Sequence, residues 1–123
     1  MLNAKVLVAD DDPLTGALVS QALAVSGFEV CGPFKSADDV LLALRERPDV
    51  CLVDVYLSGD DGRTLAAEII ERCDTQVILM SIEEQPSSMV PFILKPFSLP
   101  SLVGRVRSSL REREALASFL RIA

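Results

Sequence analysis

Five short runs of apolar residues, without polar alternation, are spread along the chain. Unbroken apolar runs of this length are typical of strands that are buried on both faces of a parallel sheet. The third run leads directly into Asp54, which places a carboxylate at the carboxyl end of its strand. The predicted strands are residues 5–9, 28–31, 50–53, 76–80 and 92–94.

Between these runs, apolar residues recur every three or four positions, the spacing of helices that bury one face. Asp12 followed by Pro13 predicts the first helix start, because proline lacks an N–H group where a helix offers no acceptor for one. Ser26 and Gly27 predict its end. The inward positions that we predict are Leu14, Leu18, Ala22 and Val25 in the first helix, Val40, Leu41 and Leu44 in the second, Leu65, Ala66, Ile69 and Cys73 in the third, and Leu102, Val103, Val106 and Leu110 in the last.

Serine residues predict two of the remaining helix starts. Ser36 with Asp39 three residues later resembles a capping box, and Ser98 precedes the last helix. Residues 111–123 are predicted to prolong that helix. They carry an apolar stripe that either packs back on the domain or contacts a partner, and the sequence leaves both open: Leu116, Phe119 and Leu120.

Strand and helix patterns that alternate with short links predict an α/β fold with a parallel sheet and right-handed crossovers. A length of 123 residues fits one domain with a substantial core. We therefore expect a single domain over residues 1–123, with its core at about residues 5–110 and a helical extension at 111–123.

Composition narrows the functional classes. Half of the residues are apolar and 24% are charged, which indicates a globular chain rather than a disordered one. The net charge of −6 argues against nucleic-acid binding, which depends on clustered Lys and Arg. The first residues lack a signal-peptide pattern, and no apolar run approaches the ~20 residues that span a bilayer. We expect a cytoplasmic protein without a membrane segment or a nucleic-acid partner.

Cysteine and histidine content excludes several kinds of chemistry. Cys31, Cys51 and Cys73 are an odd number without CxxC spacing and lie among apolar residues, so we interpret them as reduced and buried. The chain has no histidine, which removes Ser-His-Asp and Cys-His catalysis and most zinc sites.

Polar side chains follow most of the predicted strands directly. Because the carboxyl ends of parallel strands share one edge of a sheet, these side chains can converge. Three carboxylates alone repel one another, and a bound divalent cation would offset this repulsion. Because the ligands are all oxygen atoms, Mg²⁺ is favoured over zinc. A carboxylate nucleophile, a metal, an ammonium and a hydroxyl are what phosphoryl transfer to an aspartate requires. The converging residues are Asp10, Asp11, Asp54, Ser81 and Lys95.

Four motifs, each at a predicted strand end, resemble the receiver domain of two-component response regulators. Any one of them is weak evidence, whereas all four in this order are strong. The resemblance covers about residues 5–110. The motifs are Val8-Ala9-Asp10-Asp11-Asp12-Pro13, Leu52-Val53-Asp54 with Gly62 eight residues later, Leu79-Met80-Ser81, and Lys95-Pro96-Phe97.

The resemblance implies a flavodoxin-like, doubly wound sheet of five parallel strands in the order 2-1-3-4-5. It implies that Asp54 accepts a phosphoryl group from a histidine kinase or a histidine phosphotransfer protein, and that Ser81 and Lys95 bind this group. The implied Mg²⁺ ligands are Asp10, Asp11, Asp54 and the main-chain carbonyl of Tyr56, and the implied switch residues are Ser81 and Phe92.

We therefore expect the receiver of a two-component phosphorelay, a phosphoprotein that carries an aspartyl phosphate on Asp54 and changes its binding to a downstream protein. Beyond Mg²⁺-dependent self-phosphorylation and slow autodephosphorylation, we expect no enzymatic activity. The sequence leaves open whether the protein forms a homodimer. The chain is either a stand-alone receiver, which acts through a protein partner or as a phosphate shuttle, or part of a longer protein.

The chain departs from the family pattern after Ser81. Ten residues separate Ser81 from Phe92, where the family fits a loop, a helix and another loop. Such an arrangement needs roughly 12 residues or more, and Pro86 and Pro91 disfavour a helix. We predict that the helix between strands four and five is missing or reduced to one turn. Ile82, which replaces a small residue, is predicted to narrow the entrance to the site.

Two other functions compete with this one. The first is a receiver-like interaction module that is not phosphorylated, with Ile82 blocking access, although the complete set of site residues argues against it. The second is an aspartyl-phosphate phosphatase, which needs an acid two residues after the nucleophile as general acid–base, where this chain has Tyr56.

Overall fold

A five-stranded parallel sheet lies at the centre of the molecule, and the computed structural model describes residues 3–84 and 90–122. The strands lie in the spatial order β2-β1-β3-β4-β5, which confirms the predicted doubly wound order. The strands are β1 (Lys5–Ala9), β2 (Glu29–Phe34), β3 (Val50–Asp54), β4 (Gln76–Ser81) and β5 (Phe92–Leu94).

Helices cover both faces of this sheet. The helices α1 and α4 pack on one apolar cluster, and α2 and α3 pack on the other. Within the described residues, no helix is both long enough and apolar enough to cross a membrane. The helices are α1 (Pro13–Val25), α2 (Ala37–Ala43) with a 3-10 turn at Leu44–Glu46, α3 (Gly62–Arg72) and α4 (Leu99–Ile122).

The central strand β3 explains the unbroken apolar runs. It pairs with β1 on one side and β4 on the other, and all five of its residues are buried. Cys51 and Val53 face the α2 and α3 side, whereas Val50 and Leu52 face the α1 and α4 side. Because both faces are covered, neither face needs polar residues.

The inward face predicted for α1 is wrong except at Ala22, which is partly buried and packs against the core. Leu14 and Val25 are 68% and 81% exposed, whereas the buried positions of the helix are Gly16, Val19 and Leu23. Apolar residues lie on more than one side of this helix, so periodicity alone does not select a face. Close packing selects it, because a Cβ at Gly16 would lie 3.1 Å from the Pro33 side chain.

Strand β2 extends beyond its predicted end at Gly32 and Pro33. It continues to Phe34, with a register shift against β1 between Leu7 and Ala9. Edge strands tolerate proline at such irregularities. Gly32 has a φ of 107°, and a Cβ there would approach the Val8 carbonyl oxygen to 2.6 Å, so the local backbone requires glycine.

The last helix continues over residues 111–122, as predicted. Its apolar stripe of Leu116, Phe119 and Leu120 is more than half exposed, which excludes the alternative that the stripe packs back on the domain.

The cysteines are less buried than predicted. Cys51 is buried, but Cys31 and Cys73 are partly exposed, and all three are free thiols.

The segment between β4 and β5 is described in part. Residues 82–84 and 90–91 are not helical. The rest of the prediction that this helix is missing or shortened falls on residues 85–89, which lie outside the described residues.

Candidate functional site

Three carboxylates meet at the carboxyl edge of the sheet. Asp10 follows β1 directly and Asp54 ends β3, and these two residues are only 1% and 7% exposed. Asp11 is partly exposed beside them. One carboxylate oxygen from each of the three lies within 4.8 Å of the others. The strand ends therefore bring together the acids that the sequence predicted.

Lys95 reaches into this acidic group from the end of β5. Its main-chain N–H donates to the Ser81 carbonyl at 2.7 Å, which fixes the residue beside β4. Its ammonium Nζ lies 2.8 Å from Asp54 Oδ2 and 3.5 Å from Asp10 Oδ2. The predicted convergence of Lys95 with the two strand-end aspartates is confirmed.

Burial and charge compete in this group. Burial raises the pKa of the Asp10 carboxyl above its ordinary value, and the Asp12 N–H and Lys95 offset only part of this effect. For Lys95, burial acts to lower the pKa of the ammonium. The hydrogen bond to Asp54 and the charges of Asp54 and Asp10 prevail, so that the pKa of Lys95 is raised. Buried like charges thus face a cost that one lysine relieves incompletely.

Main-chain donors orient the buried carboxylates. The Asp12 N–H donates to Asp10 Oδ1 at 2.9 Å, and the Tyr56 N–H donates to Asp54 Oδ1 at 3.1 Å. Ser58 Oγ donates to Asp11 Oδ2 at 3.1 Å. The sequence singled out none of these three donors. Two of them depend on how a loop folds back on its own strand end, and the third joins the loop after β3 to the loop after β1.

A short hairpin, Tyr56–Leu57 paired with Asp60–Asp61, follows Asp54 and was not predicted. Gly62 begins α3 immediately after it. A Cβ at Gly62 would lie 1.9 Å from the Asp54 carbonyl oxygen. Glycine is therefore needed here because the backbone of Asp54 approaches the Gly62 Cα so closely.

Ser81 is fully buried at the end of β4. Its hydroxyl donates to the Glu83 carbonyl oxygen at 2.5 Å and accepts from the Glu83 N–H at 3.1 Å. The Glu83 carboxylate in turn accepts a hydrogen bond of 2.7 Å from the Tyr56 hydroxyl. Sequence reasoning missed Glu83 and the side chain of Tyr56, and no periodic signal marks either of them.

The predicted switch residue Phe92 lies on β5, where it pairs with Leu79 of β4. It is partly buried and packs, with Val90, against the apolar cluster under α2 and α3. Phe92 thus begins the strand that ends immediately before Lys95, and its side chain packs partly buried against the core.

The exposed mouth of the site borders an apolar groove of about 430 Å³. Lys95 and Ile82 both line it, and Ile82 is 67% exposed. The effect of Ile82 on access to Asp54 stays a prediction. The other lining residues belong to α1 and to the loop before α4: Thr15, Leu18, Val19, Pro96, Phe97 and Leu99.

The donor set fits a hard divalent cation. Asp10, Asp11 and Asp54 supply only oxygen atoms, in a cluster tight enough for one ion, and Mg²⁺ prefers such ligands. Two of these carboxylates are buried. Burial of a charge carries a desolvation cost, which a bound cation offsets. The main chain of Tyr56 lies beside this group, since its N–H bonds to Asp54.

A doubly wound α/β fold with an acidic trio and a lysine at the carboxyl edge is the arrangement of a receiver. The family model for the response regulator receiver domain matches residues 6–107. The chain belongs to this family.

Solved structures of receiver domains share the fold. The receiver domain of a modulated diguanylate cyclase from Desulfovibrio desulfuricans G20 is 21% identical, with a TM-score of 0.81 over 92% of this chain and 98% of that one. A response regulator from Thermotoga maritima is 29% identical, with a TM-score of 0.75 over 89% and 99%. The BeF3-activated N-terminal receiver domain of Klebsiella pneumoniae RstA is 26% identical, with a TM-score of 0.76 over 87% and 98%.

Proposed function

We propose that this protein is a phosphoacceptor of a two-component phosphorelay, with Asp54 as the residue that is phosphorylated. The observation that carries the proposal is the 2.8 Å contact between Lys95 Nζ and Asp54 Oδ2 inside a group of three clustered carboxylates. A buried, unbalanced acidic group with one lysine is costly to a fold, and such groups occur at functional sites.

The proposed phosphate donor is a histidine kinase or a histidine phosphotransfer protein. An Asp54 oxygen attacks the phosphorus in line, the phosphorus–nitrogen bond of the donor breaks, and its electron pair returns to the donor imidazole. Mg²⁺, held by Asp10, Asp11, Asp54 and the Tyr56 carbonyl, would neutralise charge on the phosphoryl oxygens. The ammonium of Lys95 already lies beside Asp54, so it is placed to bind one of these phosphoryl oxygens directly.

The proposed output is a change in partner binding. A phosphoryl group adds about −1.5 to −2 charge and strong acceptor oxygens. The Ser81 hydroxyl would donate to one of these oxygens, and movement of the backbone after Ser81 would reach Phe92 through the pairing of β4 with β5. This function needs no turnover of a separate substrate beyond self-phosphorylation and slow loss of the phosphate. Three free thiols suit a reducing, cytoplasmic location.

A non-phosphorylated interaction module is the second candidate. The exposed Ile82 at the mouth of the site favours it, because a large apolar residue there can hinder a donor. It predicts that the acidic group takes no phosphoryl label.

Phosphorylation with acetyl phosphate and Mg²⁺ separates the two candidates. Wild type is expected to gain the mass of one phosphoryl group, and Asp54→Asn, which keeps the shape of the side chain, is expected to gain none. Intact-protein mass spectrometry in acid measures this difference. An unlabelled wild type, or equal labelling of both proteins, would contradict the proposed function.

A further inference from the structure

A chain of hydrogen bonds connects the acceptor residue to Ser81 through two side chains that no motif marked. Tyr56 donates its main-chain N–H to Asp54 Oδ1 and its hydroxyl to Glu83 Oε1, at 3.1 and 2.7 Å. The main chain of Glu83 holds the Ser81 hydroxyl from both sides. Residues 56 and 83 thus bridge the loops that follow β3 and β4.

We propose that the Tyr56–Glu83 bond is a latch: these are positioning residues that hold the Ser81 hydroxyl away from the phosphoryl group until Asp54 is modified. The inference rests on the proposed function and deepens it, because it names what keeps the unphosphorylated state in place.

The hydrogen bond that Ser81 donates to Glu83 is incompatible with its binding of a phosphoryl group. A serine hydroxyl has a single hydrogen to donate, and Ser81 gives it to the Glu83 carbonyl at 2.5 Å. It cannot donate to a phosphoryl oxygen at the same time. Binding of a phosphoryl group by Ser81 therefore requires the main chain of Glu83 to move or the hydroxyl to rotate away from it.

Tyr56 opposes this movement from the other loop. Its hydroxyl fixes the Glu83 side chain, and its own backbone is fixed by the Asp54 carboxylate and by the short hairpin. A displaced Glu83 must give up the bond to Tyr56. Tyr56 is 51% exposed, so the bond competes with water, and its loss is expected to change equilibria only roughly twofold to tenfold.

Amide exchange tests the latch in the free protein. The Glu83 N–H donates to Ser81 Oγ, so its hydrogen exchange reports whether that contact is held. Tyr56→Phe removes only the hydroxyl and is expected to speed exchange at Glu83 roughly twofold to tenfold. Glu83→Gln keeps an oxygen that accepts from Tyr56 and is expected to exchange at nearly the wild-type rate.

Beryllofluoride affinity in Mg²⁺ tests the consequence. Calorimetry is expected to show Tyr56→Phe and Glu83→Ala binding roughly twofold to tenfold more tightly than wild type, with no further gain in the double variant, because both changes break one bond. Glu84→Ala, which removes the same charge from an exposed neighbouring residue, is the matched control and is expected to leave affinity unchanged.

The outcomes separate the latch from the function it serves. Unchanged Glu83 exchange in Tyr56→Phe overturns the latch, as do additive gains in the double variant or an equal gain from Glu84→Ala. If neither wild type nor any variant binds beryllofluoride, the proposed phosphoacceptor function fails, and amide exchange still decides whether Tyr56 holds Glu83.

Discussion

The two ends of the sheet handle charge in opposite ways. At the carboxyl end, Asp10 and Asp54 are buried, Asp11 lies beside them, and Lys95 forms an ion pair with each of the two buried acids. The charges there are unbalanced and desolvated. An arrangement that costs folding free energy in this way indicates a site kept for binding or chemistry rather than for stability.

At the amino end, the paired charges are partly or fully exposed to solvent. Arg113 of α4 donates to the carbonyl oxygens of Asp49 and Asp74 at 3.2 and 2.7 Å, and it also pairs with their carboxylates. These contacts tie the last helix to the loops that precede β3 and β4. Ion pairs at the amino end therefore position a helix, whereas the acids at the carboxyl end are clustered tightly enough to hold one cation.

Removing one cation from each end gives the largest expected contrast. Lys95→Ala is expected to lower the rate of labelling by acetyl phosphate at least about 100-fold, as for loss of a donor that stabilises developing charge. Arg113→Ala, at the opposite end of the sheet from Asp54, is expected to label at the wild-type rate. A time course of phosphorylation by mass spectrometry measures both. Equal loss in the two variants would remove the distinction between the ends.

Glycine substitutions contrast the site with a tolerant position. Gly62→Ala forces a Cβ to 1.9 Å from the Asp54 carbonyl oxygen, and we expect a loss of about 3 kcal/mol in the free energy of unfolding. Gly104→Ala, with nothing within 4 Å of its Cβ, lies inside α4 and is expected to gain up to about 1 kcal/mol. Urea unfolding measures both, and a stable Gly62→Ala would show that the backbone at Asp54 can shift.

Magnesium is expected to stabilise the fold through the carboxyl end. At a concentration 100 times its Kd, a ligand that binds only the folded state adds about 2.7 kcal/mol. Thermal unfolding with and without Mg²⁺ is expected to show this gain in wild type and to lose most of it in Asp11→Asn. A gain that survives in Asp11→Asn would place the ion elsewhere.

The raised pKa of Asp10 predicts how the stability of the fold depends on pH in the absence of Mg²⁺. Its pKa is raised by burial above the ordinary 3.8, so the folded state holds its proton more tightly than the unfolded chain. Stability is therefore lost as pH rises from about 3.8 through the raised value. Asp10→Asn removes this loss and is expected to be more stable than wild type near neutral pH. Urea titrations across this range measure it, and a less stable variant would contradict the electrostatic account.

The smallest expected effect concerns stability at the amino end. Arg113→Ala removes partly exposed contacts, and exposed ion pairs contribute about 1 kcal/mol or less. We expect a modest loss of stability, with faster amide exchange confined to residues 111–122. Faster exchange across the β-sheet would mean that Arg113 supports the whole fold instead of the helix alone.

Much of the fold could be predicted because its signals are local. The runs that became β1, β3, β4 and β5 were found, and β1 and β5 have their predicted bounds. The site residues at the strand ends converge as expected, because parallel topology places those ends at one edge. The end of β2 was missed, since proline in an edge strand looks like a stop when pairing is unknown.

The sequence by itself determined the order of strands and helices, the parallel sheet and the set of residues at its acidic edge. Buried strands require unbroken apolar runs, and these can be found without knowing their neighbours. Only the tertiary structure decided which face of α1 is buried and that Tyr56 binds Glu83. Those contacts join loops 27 positions apart or depend on a close fit to Pro33, and neither kind of contact leaves a periodic pattern in a chain.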